Sequence, residues 1–204
     1  MNKPKTLKTE PPKKVRIIGG TWRSRLLTVI DLHGLRPTTD RIRETLFNWL
    51  GQDLSGLRCL DLFAGTGALG FEAASRGASL VVLLEKDKKA HANLKANFSL
   101  LQSSPVSGSV EILQRDSLEF LRQQADQSSN LIFIDPPFQE AALLDRAVRE
   151  AGRICDDSGG GGIYVEFPSN RPSEDIESLL PDWHCGKYLE AGQVKACLFR
   201  SGRG

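Results

Sequence analysis

The chain contains no apolar run approaching the roughly 18 residues that a membrane-spanning helix needs, which argues against an integral helical membrane protein. Its opening residues, MNKPKTLKTEPPKK, lack the apolar core of a secretory signal. Cysteine is scarce. Cys59, Cys155, Cys185 and Cys197 stand far apart, with no C-x-x-C pair and no histidine cluster beside them. That spacing argues against a zinc site or a disulfide framework and predicts a metal-free protein of a reducing compartment. No internal repeat is present. A length of 204 residues, 40% hydrophobic and 25% charged, then suits a single globular domain, expected in the cytoplasm.

The net charge of +2 conceals an asymmetry. Lys3, Lys5, Lys8, Lys13, Lys14, Arg16, Arg23 and Arg25 crowd the first 25 residues against Glu10 alone, and the remainder is net acidic. A basic arm on a mildly acidic body fits a polyanion partner, and on charge alone it fits a solvated tail equally well. Pro4, Pro11 and Pro12 predict a flexible first segment, 1–14. Residues 14–30 are rich in β-branched side chains interrupted by Gly19-Gly20, which predicts a short hairpin or a pair of strands with basic side chains on one face. Thr38, Thr39 and Asp40 offer N-caps for a helix over 41–50, with Ile42, Leu46, Trp49 and Leu50 at helical spacing.

From residue 51 onward strands and helices alternate. Apolar strands are predicted at 57–62, 80–84, 110–113, 131–134 and 163–167. Helices are predicted at 66–76, 86–101 and 117–125, with a fourth carrying the stripe Leu143, Leu144, Ala147, Val148, Ala151 and Ile154. Repeated βα units with continuous apolar strands mean a mostly parallel, Rossmann-like α/β sheet covered on both faces. The segments 183–189 and 194–199 read as a final antiparallel hairpin. The expected organisation is an arm at 1–14, an N-terminal basic hairpin and helix at 15–50, and a ligand-binding α/β domain at 51–204.

Ligands of such sheets bind beyond the C-terminal strand ends. After the first of these strands comes Asp61-Leu62-Phe63-Ala64-Gly65-Thr66-Gly67-Ala68-Leu69-Gly70, a G-x-G-x-x-G turn that lets a nucleotide-like ligand approach the backbone. Glu85, 18 residues past Gly67, can accept from both hydroxyls of a ribose, or can simply favour a helix N-terminus. Asp116, before Ser117, can accept from an adenine amino group or serve as an N-cap. Asp135-Pro136-Pro137-Phe138 ends the fourth strand. Its prolines remove two backbone donors, so an acidic oxygen and a rigid free carbonyl become two acceptors for one amino group, beside a ring on which a flat base can stack.

These segments resemble the motif series of class I S-adenosylmethionine-dependent methyltransferases, and DPPF is the form found in enzymes that methylate exocyclic amines of bases. The stretches VRIIGGTWRSR and LRPTTDRIRETLFNWL resemble one family in that class, the bacterial RsmD type, which methylates N2 of a guanine in 16S ribosomal RNA. The resemblance runs over 15–199. It departs at Ser24, where a glycine is expected, and at 103–108, a small loop insertion. It implies that 15–50 binds RNA and that 51–204 is the methyltransferase domain. It also implies a seven-stranded sheet with a reversed C-terminal strand and a monomer acting on the small ribosomal subunit. For the S-adenosylmethionine site it implies Asp61, Phe63, Gly65, Gly67, Glu85, Asp116 and Ser117, with Thr38, Thr39 and Arg43 near the cofactor's carboxylate. It implies Asp135, Pro136 and Phe138 as the catalytic set, and Lys13, Lys14, Arg16, Arg23 and Arg25 as RNA contacts. An adenine-N6 methyltransferase acting on RNA or DNA could use the same tetrad. An NAD-dependent oxidoreductase is disfavoured by DPPF and the final hairpin. The intact Asp61, Glu85 and DPPF set speaks against a non-catalytic RNA-binding assembly factor.

Overall fold

The structure, a computed structural model, describes residues 14–30, 40–137, 139–157 and 159–202. Lys13 with the arm before it, Thr38, Thr39 and Phe138 lie outside the described residues. Two short antiparallel strands, β1 (Lys14–Arg16) and β2 (Leu26–Thr28), precede helix α1 (Asp40–Trp49). Alternation follows: β3 (Arg58–Asp61), α2 (Ala68–Ser75), β4 (Leu80–Leu84), α3 (Lys88–Leu101), β5 (Ser109–Leu113), α4 (Ser117–Arg122), β6 (Leu131–Ile134), α5 (Ala141–Ile154) and β7 (Gly162–Pro168). A five-residue helix, α6 (Ser173–Glu177), leads into the hairpin β8 (Trp183–Ala191) and β9 (Val194–Ser201). Sequence patterning does not mark α6, which is too short for an apolar stripe and buries only Ile176.

The large sheet has the order β5-β4-β3-β6-β7-β9-β8, and only β9 runs against its neighbours. The chain leaves β3 toward β4 on one side and returns to β6 on the other, so β3 and β6 flank the switch point where such sheets bind ligands. Alternate side chains serve opposite faces: Phe133 packs with Phe47, Tyr164 and Leu198, whereas Ile132 and Ile134 pack with Leu144, Val148 and Phe167. No described helix is long and apolar enough to cross a membrane.

The N-terminal segment is built into the first of these faces. Val15, Ile17, Trp22, Leu27, Ile42, Leu46 and Phe47 belong to the same buried cluster as Phe133 and Tyr164, so residues 14–50 share one core with the sheet. Gly19 and Gly20 do not make a tight hairpin turn; they lie against the last turn of α2. A Cβ at Gly20, which has φ +69°, would stand 1.8 Å from the Ser75 carbonyl oxygen. The Thr21 amide donates to that oxygen at 2.8 Å, and the Trp22 amide to Ser75 Oγ at 2.8 Å. Ser24 also adopts a positive φ, +69°, the conformation for which a glycine is the unstrained residue.

Glu72, wholly buried in α2, fastens this arrangement. Its carboxylate accepts the Ile18 amide at 2.8 Å and the Gly19 amide at 2.7 Å. Arg76 Nε and Nη2 approach the same Oε1 at 2.9 and 2.8 Å, and Arg43 Nη1 stands 3.8 Å from Oε2. The Arg76 guanidinium in turn lies 4.8 Å over the Phe47 ring. Glu72→Ala strands two amides and two buried guanidinium groups. It should destabilise the fold by about 3–5 kcal/mol, measured as the shift in the urea unfolding midpoint. A shift worth under about 1 kcal/mol would show that the cluster behaves as a solvated pair.

Candidate active site

The end of β3 shapes the glycine loop through one buried acid. Asp61, 2% exposed, accepts the Gly70 amide on Oδ2 at 3.0 Å and so ties strand to helix across the turn. Burial, reinforced by the charges of Asp135 and Glu85, pushes the Asp61 pKa up to about 7, while the amides of Gly70 and Phe63 pull it down. Gly65 and Gly67 both take positive φ, +52° and +84°. At Gly67 a Cβ would meet Phe71 at 2.3 Å and Leu94 at 2.7 Å. That glycine is thus required by packing beneath the loop, as well as by its backbone conformation.

Glu85 follows β4 and joins the neighbouring loops. Its Oε2 accepts the Gly65 amide at 3.1 Å and its Oε1 the Asp87 amide at 2.8 Å. Each oxygen retains acceptor capacity, and the half-buried side chain leaves that capacity open to a ligand hydroxyl. Burial raises its pKa. An adenosine-bearing cofactor fits here: a diol acceptor stands beside a glycine whose φ lets the backbone come close. Phe63, also half-buried, lies two residues before Gly65.

Asp116 is the N-cap of α4. Oδ1 accepts the Leu118 and Glu119 amides at 3.0 and 3.1 Å, and Oδ2 pairs with Lys86 Nζ at 2.9 Å. The Lys86 contact holds its pKa below the usual carboxylate range. Ser117 Oγ donates to the Leu62 carbonyl and so braces the glycine loop from behind. Arg43, expected at the cofactor's carboxylate, is placed in the Glu72 clamp instead. It has no exposed surface, and its Nη2 donates to the Arg16 carbonyl at 2.7 Å and to Asp40 Oδ1 at 2.5 Å. Lys14, Arg16, Arg23 and Arg25 are all exposed, the last donating to Ser104 Oγ at 3.2 Å.

Asp135, Pro136 and Pro137 leave β6 at the switch point. Pro136 is buried, and Asp135 and Pro137 are half-buried. Asp61 pairs with Phe133 across the sheet, and Phe133 with Tyr164. Asp135, two residues beyond Phe133, therefore continues on the face that carries Asp61. The structure adds two residues to this edge that sequence patterning does not single out. Tyr164 donates its hydroxyl to Glu166 Oε1 at 2.8 Å, both buried at the end of β7. The one available signal was a lone acid within an otherwise apolar strand.

The family model described as Conserved hypothetical protein 95 matches residues 15–200. Ribosomal RNA small subunit methyltransferase D of Escherichia coli is 38% identical, over 92% of this chain and 90% of its own length. The protein of that name from Haemophilus influenzae is 42% identical, over 92% and 94%. A solved structure of yhhF, a candidate methyltransferase from Escherichia coli, superposes with a TM-score of 0.74 at 37% identity, covering 93% of this chain and 98% of that one. At the level of fold alone, magnesium protoporphyrin IX methyltransferase from Synechocystis, solved with S-adenosylmethionine bound, gives a TM-score of 0.60 at 15% identity, over 78% and 77% of the two chains.

The Asp61 environment has a consequence for stability. Its carboxyl ionises near 3.8 in the unfolded chain but holds its proton to about 7 when folded. Over that interval the folded state binds more protons, so the Asp61 contribution to stability falls as pH rises from about 4 to about 7. Asp61→Asn, which keeps an acceptor for Gly70, should flatten this slope when urea midpoints are compared across that range. An unchanged slope would place the titration elsewhere.

Proposed function

The chain belongs to the Conserved hypothetical protein 95 family and is a methyltransferase; from that premise we propose that it transfers a methyl group from S-adenosylmethionine to the exocyclic N2 of a guanine in 16S ribosomal RNA. The observation that carries this is the convergence of Asp135-Pro136-Pro137 with the glycine loop on one sheet edge, close enough for the charge of Asp135 to act on Asp61. The names of the relatives supply the ribosomal substrate.

The cofactor, when bound, supplies an electrophilic methyl group on a sulfonium. Glu85 holds its ribose, Gly65 gives its methionine end room along the backbone, and Asp116 and Ser117 shape the adenine end. Asp135 Oδ and the Pro136 carbonyl accept hydrogen bonds from the target amine. These contacts counter delocalisation of the N2 lone pair into the ring and stabilise the positive charge that develops on nitrogen. Both acceptors are fixed before the base arrives, so much of the acceleration is positioning. The proton can leave to water, which relieves Asp135 of any need to be a strong base. The sequence puts Phe138 directly after this corner, where an aromatic ring would suit stacking on a flat base. A base paired within a helix cannot reach this edge, so the target must be unpaired or flipped out.

The exposed Lys14, Arg16, Arg23 and Arg25 form a basic face suited to phosphates. Transfer of labelled methyl to small-subunit particles, followed by nucleoside analysis, should yield N2-methylguanosine. N6-methyladenosine, or no transfer, would overturn the proposal. Asp135→Ala should lower the transfer rate by about 10²–10³ with S-adenosylmethionine affinity little changed by calorimetry. Retention of more than about a third of wild-type turnover, well inside that loss, would remove Asp135 from the chemistry.

Because Val15, Ile17 and Trp22 are core residues, deleting the whole basic segment would damage the fold. The cleaner variant changes Arg16, Arg23 and Arg25 to alanine. At ~0.7–0.9 per phosphate contact, the log–log salt dependence of binding to ribosomal particles should flatten by about 2 to 3. An unaltered slope would assign the phosphate contacts to other residues.

A further inference from the structure

Strand β7 has the sequence Gly-Ile-Tyr-Val-Glu-Phe-Pro, with Glu166 as its one acid, 2% exposed. A carboxylate so deeply placed has given up most of its hydration, and such groups persist where hydrogen-bond donors meet them. Tyr164 provides one donor, at 2.8 Å to Oε1. Burial and the adjacent Glu166 charge raise the Tyr164 pKa far above its usual value, so its phenol remains a donor and fixes the carboxylate's orientation. The ladder between β6 and β7 pairs Ile134 with Val165. The next residues on the two strands are Asp135 and Glu166, and both continue on the face of the paired Phe133 and Tyr164. The charge of Asp135 acts on Asp61 on one side and on Tyr164 on the other. Asp135 thus stands between the glycine loop and Glu166. Glu166 also lines a cavity of about 160 Å³ together with Pro136, Pro137 and Leu144.

The chemistry of the two candidate bases differs at this position. Guanine presents N1–H directly beside its N2 amine, two neighbouring donors that acidic oxygens can accept together. Adenine presents its N6 amine beside the N1 lone pair, and a carboxylate facing that lone pair meets acceptor with acceptor. The Asp-Pro-Pro corner accepts an amine from either base and does not discriminate between them.

We infer that Glu166, oriented by Tyr164, selects guanine by accepting N1–H of the base whose N2 amine is held by Asp135 and the Pro136 carbonyl. This assignment rests on the guanine-N2 activity proposed above. Glu166 contacts the base and takes no part in moving the methyl group.

The test uses small-subunit particles reconstituted with RNA carrying either guanine or 2-aminopurine at the methylated position. 2-Aminopurine keeps the amine but has a lone pair at N1. The wild-type protein should show kcat/KM at least about 10-fold lower for 2-aminopurine, the range expected when a charged acceptor loses its donor. In Glu166→Gln the side-chain amide can donate to that lone pair. The preference should then collapse to within about threefold, with S-adenosylmethionine affinity and Tm unchanged and the loss on guanine appearing mainly in KM. The missing O6 of 2-aminopurine lowers both proteins alike, so the change in ratio isolates N1. Tyr164→Phe, which keeps the carboxylate but releases it, should give an intermediate ratio. Equal use of both bases by the wild type, or a wild-type ratio in a folded Glu166→Gln, would overturn the inference while leaving guanine-N2 transfer standing. Should Glu166→Gln fail to fold, the wild-type ratio and Tyr164→Phe decide. Methyl found on adenine would overturn the guanine reading itself, and this assignment with it.

Discussion

A carboxylate without solvent contact holds the two ends of this molecule together. Glu72 sits midway along a helix whose other residues are small or apolar, Ala-Leu-Gly-Phe-Glu-Ala-Ala-Ser, and every side chain of that helix is buried. Removing such a charge from water is costly, and only the full set of donors offsets it: the Ile18 and Gly19 amides and the Arg76 guanidinium, with Arg43 behind them. Because two of those donors are backbone groups of the N-terminal segment, the hairpin has one position on the sheet. Trp22 then fills the space against Phe71 and Phe98, at ring separations of 6.2 and 6.4 Å. The exposed arginines on the same hairpin inherit a fixed orientation from this buried anchor.

The other end of the sheet gathers acids. Asp61, Glu85, Asp135 and Glu166 all stand toward C-terminal strand ends, and burial, with a smaller contribution from the charges of Asp135 and Glu85, raises the pKa of Asp61. Backbone amides of Gly70, Gly65 and Asp87 and the Tyr164 hydroxyl satisfy part of this acceptor surplus. The edge is rich in acceptors, the character that the proposed activity asks of it.

Most of the architecture could be read from the sequence because the strands are uninterrupted apolar runs. Leu80–Leu84 and Leu131–Ile134 occur where the pattern puts them, and the reversed final hairpin follows from its turn residues. Local chemistry was equally legible: Asp116 is the N-cap that its place before Ser117 suggests, and Ser24 adopts the positive φ that suits the glycine expected there. What stayed hidden depends on partners distant in the chain. Arg43 looks like a surface residue on an amphipathic helix, and only the fold brings it to Glu72, 29 positions away in sequence. Tyr164 and Glu166 look like ordinary strand residues until the β6–β7 ladder sets them beside Asp135. Gly67 was legible as part of a turn that a ligand can approach closely, but its packing against Phe71 and Leu94 was not.

Helix α2 joins the two ends described above: its first residues close the glycine loop, and its last turn receives Gly20 and Trp22. Eight helical residues rise by roughly 12 Å, and a buried helix of this length does not stretch or bend appreciably. The basic hairpin and the acidic edge are therefore the jaws of a calliper with a fixed opening. If the phosphates of a substrate seated against one jaw, only a target at one separation would reach the other, and the fold would gauge distance before any base was read.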